Sequence, residues 1–193
     1  MRIFRGVAKA DLSDADLLAA HASGDKDAFA ELLSRHYEHL WLVARRTSYT
    51  VEDAEDALQE ALTSAHRKAG TYRADAAVRS WLHTIVVNAC LDRHRRNRAR
   101  PAVSLSTDDS IDPHDERDRI SERETSLLVD RALQQLPAEQ RAAIVAVDLE
   151  GYSVAEAARR LGVPEGTIKS RCARARLKLA SHLEYLRDAG NRS

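Results

Sequence analysis

The segment from Glu150 to Leu183, EGYSVAEAARRLGVPEGTIKSRCARARLKLASHL, constrains the fold of this chain more than any other stretch. Ser153 can cap the start of a short helix, and Glu156, three residues on, can complete a capping box. Gly162 permits the left-handed backbone of a sharp stop, and Pro164 suits the first turn of a new helix. The segment therefore predicts two helices joined by a tight turn.

The second helix of this segment has an apolar face and a cationic face. Helical spacing turns inward an apolar set formed by Ile168, Cys172, Ala175 and Leu179. The opposite side is small, polar and cationic, which is what the major groove of DNA admits. The predicted DNA contacts on and beside that side are Gly166, Thr167, Lys169, Ser170, Arg171, Ala173, Arg174 and Arg176. The pattern predicts a DNA-binding helix-turn-helix, and the alternative is a helical hairpin with a solvated basic face.

Composition narrows the class of protein. Of the 193 residues, 5% are aromatic and 31% are charged, which favours helices with modest cores over sheets. No apolar run approaches the ~20 residues that span a bilayer and no signal-peptide core is present, so we expect a cytoplasmic protein. Cys90 and Cys172 are expected to be buried free thiols, with a redox switch as the alternative. No metal-ligand spacing occurs, and we expect no metal or other cofactor.

The predicted fold is all-α, with two small helical domains joined by a flexible acidic linker. The domains cover residues 1–100 and 122–193, and the linker covers 101–121. Residues 101–124 carry three Lys or Arg and eight Asp or Glu, a net charge of −5, and are too polar to pack a core. Helices are predicted at 13–22, 25–47, 50–69, 78–98, 125–136, from Pro137 to about 150, and through the helix-turn-helix.

Helical periodicity also predicts which side chains are buried. In the second helix the stripe is Phe29, Leu32, Leu33, Tyr37, Leu40, Trp41 and Ala44. In the fourth helix it is Trp81, Leu82, Ile85, Val86, Ala89 and Cys90. Around Pro137 the predicted inward residues are Leu128, Ala132, Leu136, Ile144, Val145 and Leu149. Lone histidines such as His83 are expected at the surface or half-buried.

Two helices of the first domain concentrate charge. The third carries Glu52, Asp53, Glu55, Asp56, Gln59 and Glu60. Acidic residues near a helix N-terminus are favoured by the macrodipole, so a structural role and an acidic docking face for a basic partner both remain open. The end of the fourth helix carries Arg93, His94, Arg95, Arg96, Arg98 and Arg100, and such a run suits contact with phosphates.

With these segments placed, residues 15–185 resemble the extracytoplasmic-function branch of the sigma-70 family. DAEDALQEAL (53–62) resembles its polymerase-binding helix, and SWLHTIVVNACLDRHRR (80–96) resembles its −10-reading helix. Residues 136–176 resemble its −35-reading domain. The resemblance implies a promoter-specificity subunit rather than an enzyme, with core RNA polymerase, promoter DNA and an anti-sigma protein as partners.

The resemblance also implies roles for single residues. Core polymerase would bind Asp53, Asp56, Gln59 and Glu60, which decides in favour of the docking face. At the −10 element, Tyr72 and Asn88 match positions that hold a flipped-out base. The cationic residues beside them are Arg93, Arg95 and Arg96. At the −35 element, bases would be read by Lys169, Ser170 and Ala173, and phosphates would be held by Arg171, Arg174 and Arg176.

The chain departs from the family at Leu62, His66 and Val78, where the family usually has aromatic residues. We therefore expect a looser first domain, weak strand separation and dependence on both promoter elements. One alternative is an independent dimeric regulator that reads a palindrome. Another is a helical metal-dependent hydrolase, disfavoured because no Glu-x-x-His or His-Glu-x-x-His pairing accompanies Asp53, Asp56, Glu60 and His66.

Overall fold

The computed structural model describes residues 9–74, 76–99 and 128–190, with side chains to residue 182 in the last range. The chain divides into two compact units, residues 1–92 and 93–193. Every regular element in these ranges is helical, which confirms the all-α prediction. The predicted linker, 101–121, lies outside the described residues. The α-helices are α1 (Asp14–Ala22), α2 (Ala28–Thr47), α3 (Val51–Lys68), α4 (Val78–Ala99), α5 (128–134), α6 (Ala138–Ile144), α7 (Val154–Leu161) and α8 (Glu165–Gly190).

The first unit begins with capped helices. The hydroxyl of Ser13 accepts a hydrogen bond from the backbone N–H of Asp16, which caps α1. The hydroxyl of Thr50 caps α3 in the same way, at 3.1 Å from the backbone nitrogen of Asp53. Each cap satisfies a backbone donor that has no partner within its helix, so the sequence alone fixes where these two helices begin.

The second helix begins at Ala28, three residues later than predicted. Gly24 has a φ of 103°, so the chain is still turning at this point. The Asp25 carboxylate then accepts hydrogen bonds from the backbone N–H of Asp27 at 3.0 Å and from Lys9 Nζ at 2.9 Å. Because Asp25 is tied to these groups outside the helix, the helical hydrogen bonds start only after Asp27.

The prediction that Tyr37 belongs to the core is wrong, because its side chain is 50% exposed. The buried residues of α2 include Phe29, Leu32, Leu40 and Val43. At ~100° per residue, Tyr37 lies about 100° from the middle of that stripe. It is amphipathic and stays at the rim with its hydroxyl in reach of water.

The buried face of α4 is rotated from the one predicted. Leu82, Val86 and Cys90 are buried as expected, and they are joined by Val78, His83, Val87 and Leu91. Trp81, Ile85 and Ala89 are only half-buried. The prediction followed the largest apolar side chains, whereas the Trp81 ring packs at the edge of the helix against Tyr72. His83 is 2% exposed rather than near the surface. Its ring stacks on that of His39, with 6.4 Å between the ring centroids.

The second unit has a core of small residues. Helices α6 and α7 both pack on α8, and their contacts use alanine more than any other residue. The core consists of Leu133, Leu136, Ala143, Ile144, Val145, Ala146, Ala157, Ala158, Ile168, Cys172 and Ala175. Small side chains allow the short helices to approach closely, but each buries little apolar area.

A π-helical turn, Val145–Leu149, extends α6. The backbone N–H of Glu150 donates to Val145 O, five residues back, at 2.9 Å. The extra residue in this turn rotates the following side chains by roughly 100° relative to an α-helix. For this reason the prediction that Leu149 points inward is wrong, and the side chain is 40% exposed.

The end of α5 is held by a buried cation. Arg141 is fully buried, and its Nη2 donates to Gln134 O and Leu136 O, both at 3.0 Å. These carbonyls lie at the end of α5, where helical partners are lacking. Leu128, predicted to face inward, is 39% exposed because Val129, one position further, packs against the core instead.

Candidate nucleic-acid interface

The turn between α7 and α8 has the geometry that the sequence predicts. Ser153 Oγ accepts from the backbone N–H of Glu156 at 3.2 Å, and Glu156 Oε2 accepts from the backbone N–H of Ser153 at 3.0 Å. The Ser153 hydroxyl also donates to Glu156 Oε2 at 2.8 Å, and this bond and the one from the Ser153 backbone N–H lower the pKa of the Glu156 carboxyl. Gly162 follows with a φ of 63°, the left-handed conformation expected there. The capping box and the glycine stop are confirmed, and they set where α8 begins.

On α8 the predicted inward residues are buried or half-buried. Ile168, Cys172 and Ala175 are buried, and Leu179 packs partly buried against the same core. Of the predicted DNA contacts, Thr167 and Arg171 are half-buried. The exposed ones are Gly166, Lys169, Ser170, Ala173, Arg174 and Arg176. Leu177 is 73% exposed on this side, and nothing in the structure explains why an apolar residue stands there.

Two of the predicted phosphate-binding arginines are engaged within the chain. Arg174 donates from Nε to Ser170 O at 3.1 Å and from Nη2 to Ser170 Oγ at 3.2 Å. Arg176 forms a two-bond ion pair with Asp148, which also raises the pKa of the guanidinium. Sequence reasoning missed Asp148, because it lies 28 residues away and no local pattern links the two.

In the first unit, Tyr72 and Asn88 belong to one side of α4. Tyr72 follows the 3₁₀ turn Ala69–Thr71, donates its hydroxyl hydrogen to Ala76 O, and packs edge-on against Trp81 at 5.7 Å between ring centroids. Trp81 and the exposed Asn88 are seven residues apart, two turns along the same face of the helix. Sequence reasoning placed Trp81 in the core and so missed it as a neighbour of Tyr72.

The three cationic residues predicted near the −10 element do not share one face. At ~100° per residue, Arg95 and Arg96 fall within about 80° of Asn88, whereas Arg93 falls about 140° from it. Arg95 and Arg96 are exposed, and Arg93 is half-buried on the flank of the core. The structure therefore brings Asn88, Arg95 and Arg96 to the outward side and sets Arg93 apart.

The acidic residues of α3 form an outward face. The buried side of this helix consists of Ala54, Ala57, Leu58, Ala61 and Ala65. Opposite it, Asp56, Gln59 and Glu60 are exposed, while Asp53 is half-buried at the first turn. Three of the four predicted polymerase contacts thus lie together on the exposed side, and the fourth also receives the Thr50 cap on its backbone.

Both cysteines are buried free thiols, as expected. Burial raises the pKa of the Cys172 thiol, which keeps it protonated. Among the described residues, no three His, Cys, Asp or Glu side chains cluster as a metal site would require. Nor does any helix in the part of the chain that the structure describes have the length and apolarity needed to cross a membrane.

Comparison with known proteins places both parts of the chain in one family. The family model described as "Sigma-70 region 2" matches residues 32–100, and "Sigma-70, region 4" matches residues 126–179. The chain is 58% identical over 179 residues to the ECF RNA polymerase sigma factor SigM of Mycobacterium tuberculosis H37Rv, with 93% of this chain and 89% of that protein covered. The chain belongs to the sigma-70 family, in its extracytoplasmic-function branch.

Solved structures agree with this assignment. The sigma factor RpoE of Bartonella quintana, in complex with the anti-sigma factor NepR, matches with a TM-score of 0.64 at 26% identity and covers 82% of this chain and 98% of that one. CnrH, in complex with the cytosolic domain of CnrY, matches with a TM-score of 0.62 at 28% identity, covering 89% and 97%. Both likenesses extend over most of this chain.

Proposed function

We propose that this protein is an alternative sigma factor that binds core RNA polymerase and directs promoter recognition and transcription initiation. One observation carries the proposal. The region 2 and region 4 matches fall on the two parts of the chain that carry the acidic face of α3, the outward side of α4 and the helix-turn-helix. An independent regulator would need the helix-turn-helix but not an acidic helix in a separate unit.

Core polymerase would bind the outward face of α3. Asp56, Gln59 and Glu60 supply exposed carboxylates and an amide, and Asp53 extends the face to the first turn. Such a surface attracts a basic partner at long range and fixes its register at short range. The face is negative across successive turns, which a helix cap alone does not require.

The two promoter elements would be read by separate helices. Tyr72, in the loop before α4, and Asn88, on α4, would hold an unstacked base by ring contact and amide hydrogen bonds. Arg95 and Arg96 on the outward side, and Arg93 on the flank of the same helix, would neutralise phosphates. On α8 the base-reading positions would be Lys169, Ser170 and Ala173, with Arg171 and Arg174 against the backbone. Gly166 and Thr167 lie at the helix N-terminus, where backbone N–H groups can meet a phosphate.

The proposed arrangement extends to domains, location and partners. We infer a polymerase-binding and −10-reading domain over residues 1–100, an acidic linker over 101–121 and a −35-reading domain over 122–193. A protein of this kind works beside the chromosome, in the cytoplasm. An anti-sigma partner is proposed because a relative of similar fold was solved in complex with one.

A pull-down with core polymerase tests the proposal. The double variant Asp56→Arg/Glu60→Arg reverses charge on the α3 face, and Asp11→Arg/Glu38→Arg makes the same change at exposed acids on other elements. The α3 variant should lose about tenfold or more in polymerase affinity, whereas the control should stay close to the unaltered protein. Equal retention of both variants, or no capture of the unaltered chain, would reject the proposal.

A further inference from the structure

Arg176 is held in a geometry that uses one edge of its guanidinium. Nε lies 2.9 Å from Asp148 Oδ2, and Nη2 lies 2.6 Å from Asp148 Oδ1. Two parallel bonds of this kind fix both the distance and the plane of the two groups. A single-bond surface pair would leave the arginine free to sample other positions, but this fork does not.

The position of Arg176 around α8 agrees with an inward role. At ~100° per residue, Arg176 lies about 70° from the middle of the buried stripe Ile168–Cys172–Ala175 and about 110° from the middle of the outward side. Lys169 and Ser170 are closer to the outward side. Arg176, whose side chain is 57% exposed, is thus placed at the margin between the buried stripe and the outward side, about 20° inward of Lys169.

Asp148 reaches Arg176 from the π-helical turn. That turn is closed by bonds from the Glu150 N–H to Val145 O and from the Tyr152 N–H to Ala146 O, at 2.9 and 3.0 Å. It lies directly before α7, the first helix of the helix-turn-helix. The ion pair therefore joins α8 to the segment that enters α7, at a point about three turns after α8 begins at Glu165.

The charge balance of the pair also argues against a phosphate ligand. A phosphate contact gains affinity because a cation displaces counterions from the DNA. The carboxylate of Asp148 already neutralises Arg176 at contact distance, and it would itself repel an approaching phosphate. Arg174, by contrast, is bonded only to neutral groups of Ser170 among the contacts described above.

We propose that Arg176 is a positioning residue for promoter recognition, and that its pair with Asp148 fixes how α8 is rotated and inclined when it presents Lys169, Ser170 and Arg174 to DNA. This inference rests on the proposed function and replaces the phosphate contact that the family resemblance implies for Arg176. Arg176 acts through the orientation of α8, so its loss reduces discrimination between sequences rather than general attraction to DNA.

The test uses the full chain assembled with core polymerase. The probes are a duplex that the unaltered holoenzyme selects from a randomised library and a scrambled duplex of equal length. Affinities are measured over a range of salt concentrations for Arg176→Ala, Asp148→Ala, the exchanged pair Asp148→Arg/Arg176→Asp, and Lys178→Ala. The last variant removes one exposed cation from the same helix without touching the pair.

Positioning predicts a loss confined to the selected duplex. Arg176→Ala and Asp148→Ala should each weaken its binding about tenfold and that of the scrambled duplex about twofold or less. The exchanged pair should return to within about threefold of the unaltered protein, and Lys178→Ala should leave discrimination unchanged. Thermal unfolding of each variant checks that the second unit remains folded.

Other outcomes overturn the inference. If Arg176 holds a phosphate, Arg176→Ala weakens both duplexes equally and lowers the salt slope by about 0.9, Asp148→Ala strengthens binding, and the exchanged pair is not rescued. Unchanged discrimination in all variants rejects it as well. Failure of the unaltered holoenzyme to select any sequence would instead reject the proposed function itself.

Discussion

The helices proposed to face DNA, α4 and α8, are held in their units by different kinds of contact. Helix α4 buries large apolar side chains, among them Leu82, Val86 and Leu91. Helix α8 buries Ile168 and otherwise small residues, and it is fixed further by directed polar contacts such as the Arg176–Asp148 pair. Burial of area is strong but indifferent to rotation, whereas forked hydrogen bonds specify an angle. We conclude that α4 is held mainly by hydrophobic burial, whereas α8 is held by small buried residues together with directed hydrogen bonds.

Removal of apolar volume under α4 should have the largest effect on stability. Leu82 is 1% exposed, and Leu82→Ala should lower the free energy of unfolding of the first unit by about 3 kcal/mol, because the site cannot fully collapse. Both tryptophans of the chain, Trp41 and Trp81, lie in this unit, so urea unfolding followed by tryptophan fluorescence reports it directly. The matched control Leu42→Ala, at a more exposed position, should cost less than about 1 kcal/mol. Equal losses of unfolding free energy in Leu82→Ala and Leu42→Ala would contradict the conclusion that hydrophobic burial holds α4.

Removal of the buried cation should destabilise the second unit next most strongly. Arg141→Ala leaves the carbonyls of Gln134 and Leu136 without their donor and opens a cavity, at a cost of about 2 kcal/mol. Hydrogen exchange of backbone amides in α6 to α8 measures this cost within the unit. Arg131→Ala, at an exposed position in α5, should change the free energy of exchange by less than about 0.5 kcal/mol. If Arg141→Ala left amide exchange in α6 to α8 unchanged, polar contacts would not hold this unit.

The tight turn before α8 offers a paired glycine test. Gly162→Ala forces a β-carbon into a left-handed backbone and should cost about 1 kcal/mol, although no atom lies within 4 Å of that carbon. Gly166→Ala, in helical backbone with equally open space, should stabilise α8 by about 0.5 kcal/mol. The same amide-exchange measurement gives the change in stability for both variants. Changes of the same sign would show that the strain at Gly162 does not control the turn.

The capping box should have the smallest effect on stability, and this effect should appear as a dependence of the stability of α7 on pH. Hydrogen bonds from Ser153 lower the pKa of Glu156 below its ordinary 4.5 in the folded chain. The folded state therefore binds fewer protons than the unfolded one between the folded pKa and 4.5. The stabilisation is fully present above 4.5 and is lost as pH falls through the folded pKa. Glu156→Gln should remove this dependence from acid titrations of amide exchange in α7. A variant that titrates like the unaltered protein would disprove the box's contribution.

The sequence predicted the second unit best where the signals are local. The capping box at Ser153 and the glycine stop at Gly162 involve residues a few positions apart, so turn chemistry determined them without reference to the rest of the chain. The periodicity of α8 was equally clear, because Ile168, Cys172 and Ala175 are flanked by charged residues. The family resemblance then connected the blocks, and the comparisons confirmed it.

Burial and side-chain pairing were predicted less well because they depend on neighbours far along the chain. Trp81 was assigned to the core by size, but Tyr72 offers it an edge contact instead. Leu149 was placed inward on an α-helical period that the π turn breaks. The bonds between Arg176 and Asp148 link residues that no sequence window holds together, so this pair is found only in three dimensions.

Run-off transcription with the purified chain and core polymerase tests the central claim most directly. Three templates carry a promoter selected by the holoenzyme, the same promoter with its −10 element scrambled, and the same promoter with its −35 element scrambled. Two units that each read one element predict a defined start on the first template and a loss of about tenfold or more on each of the others. No transcript from the intact promoter, or undiminished initiation after either element is scrambled, would contradict it.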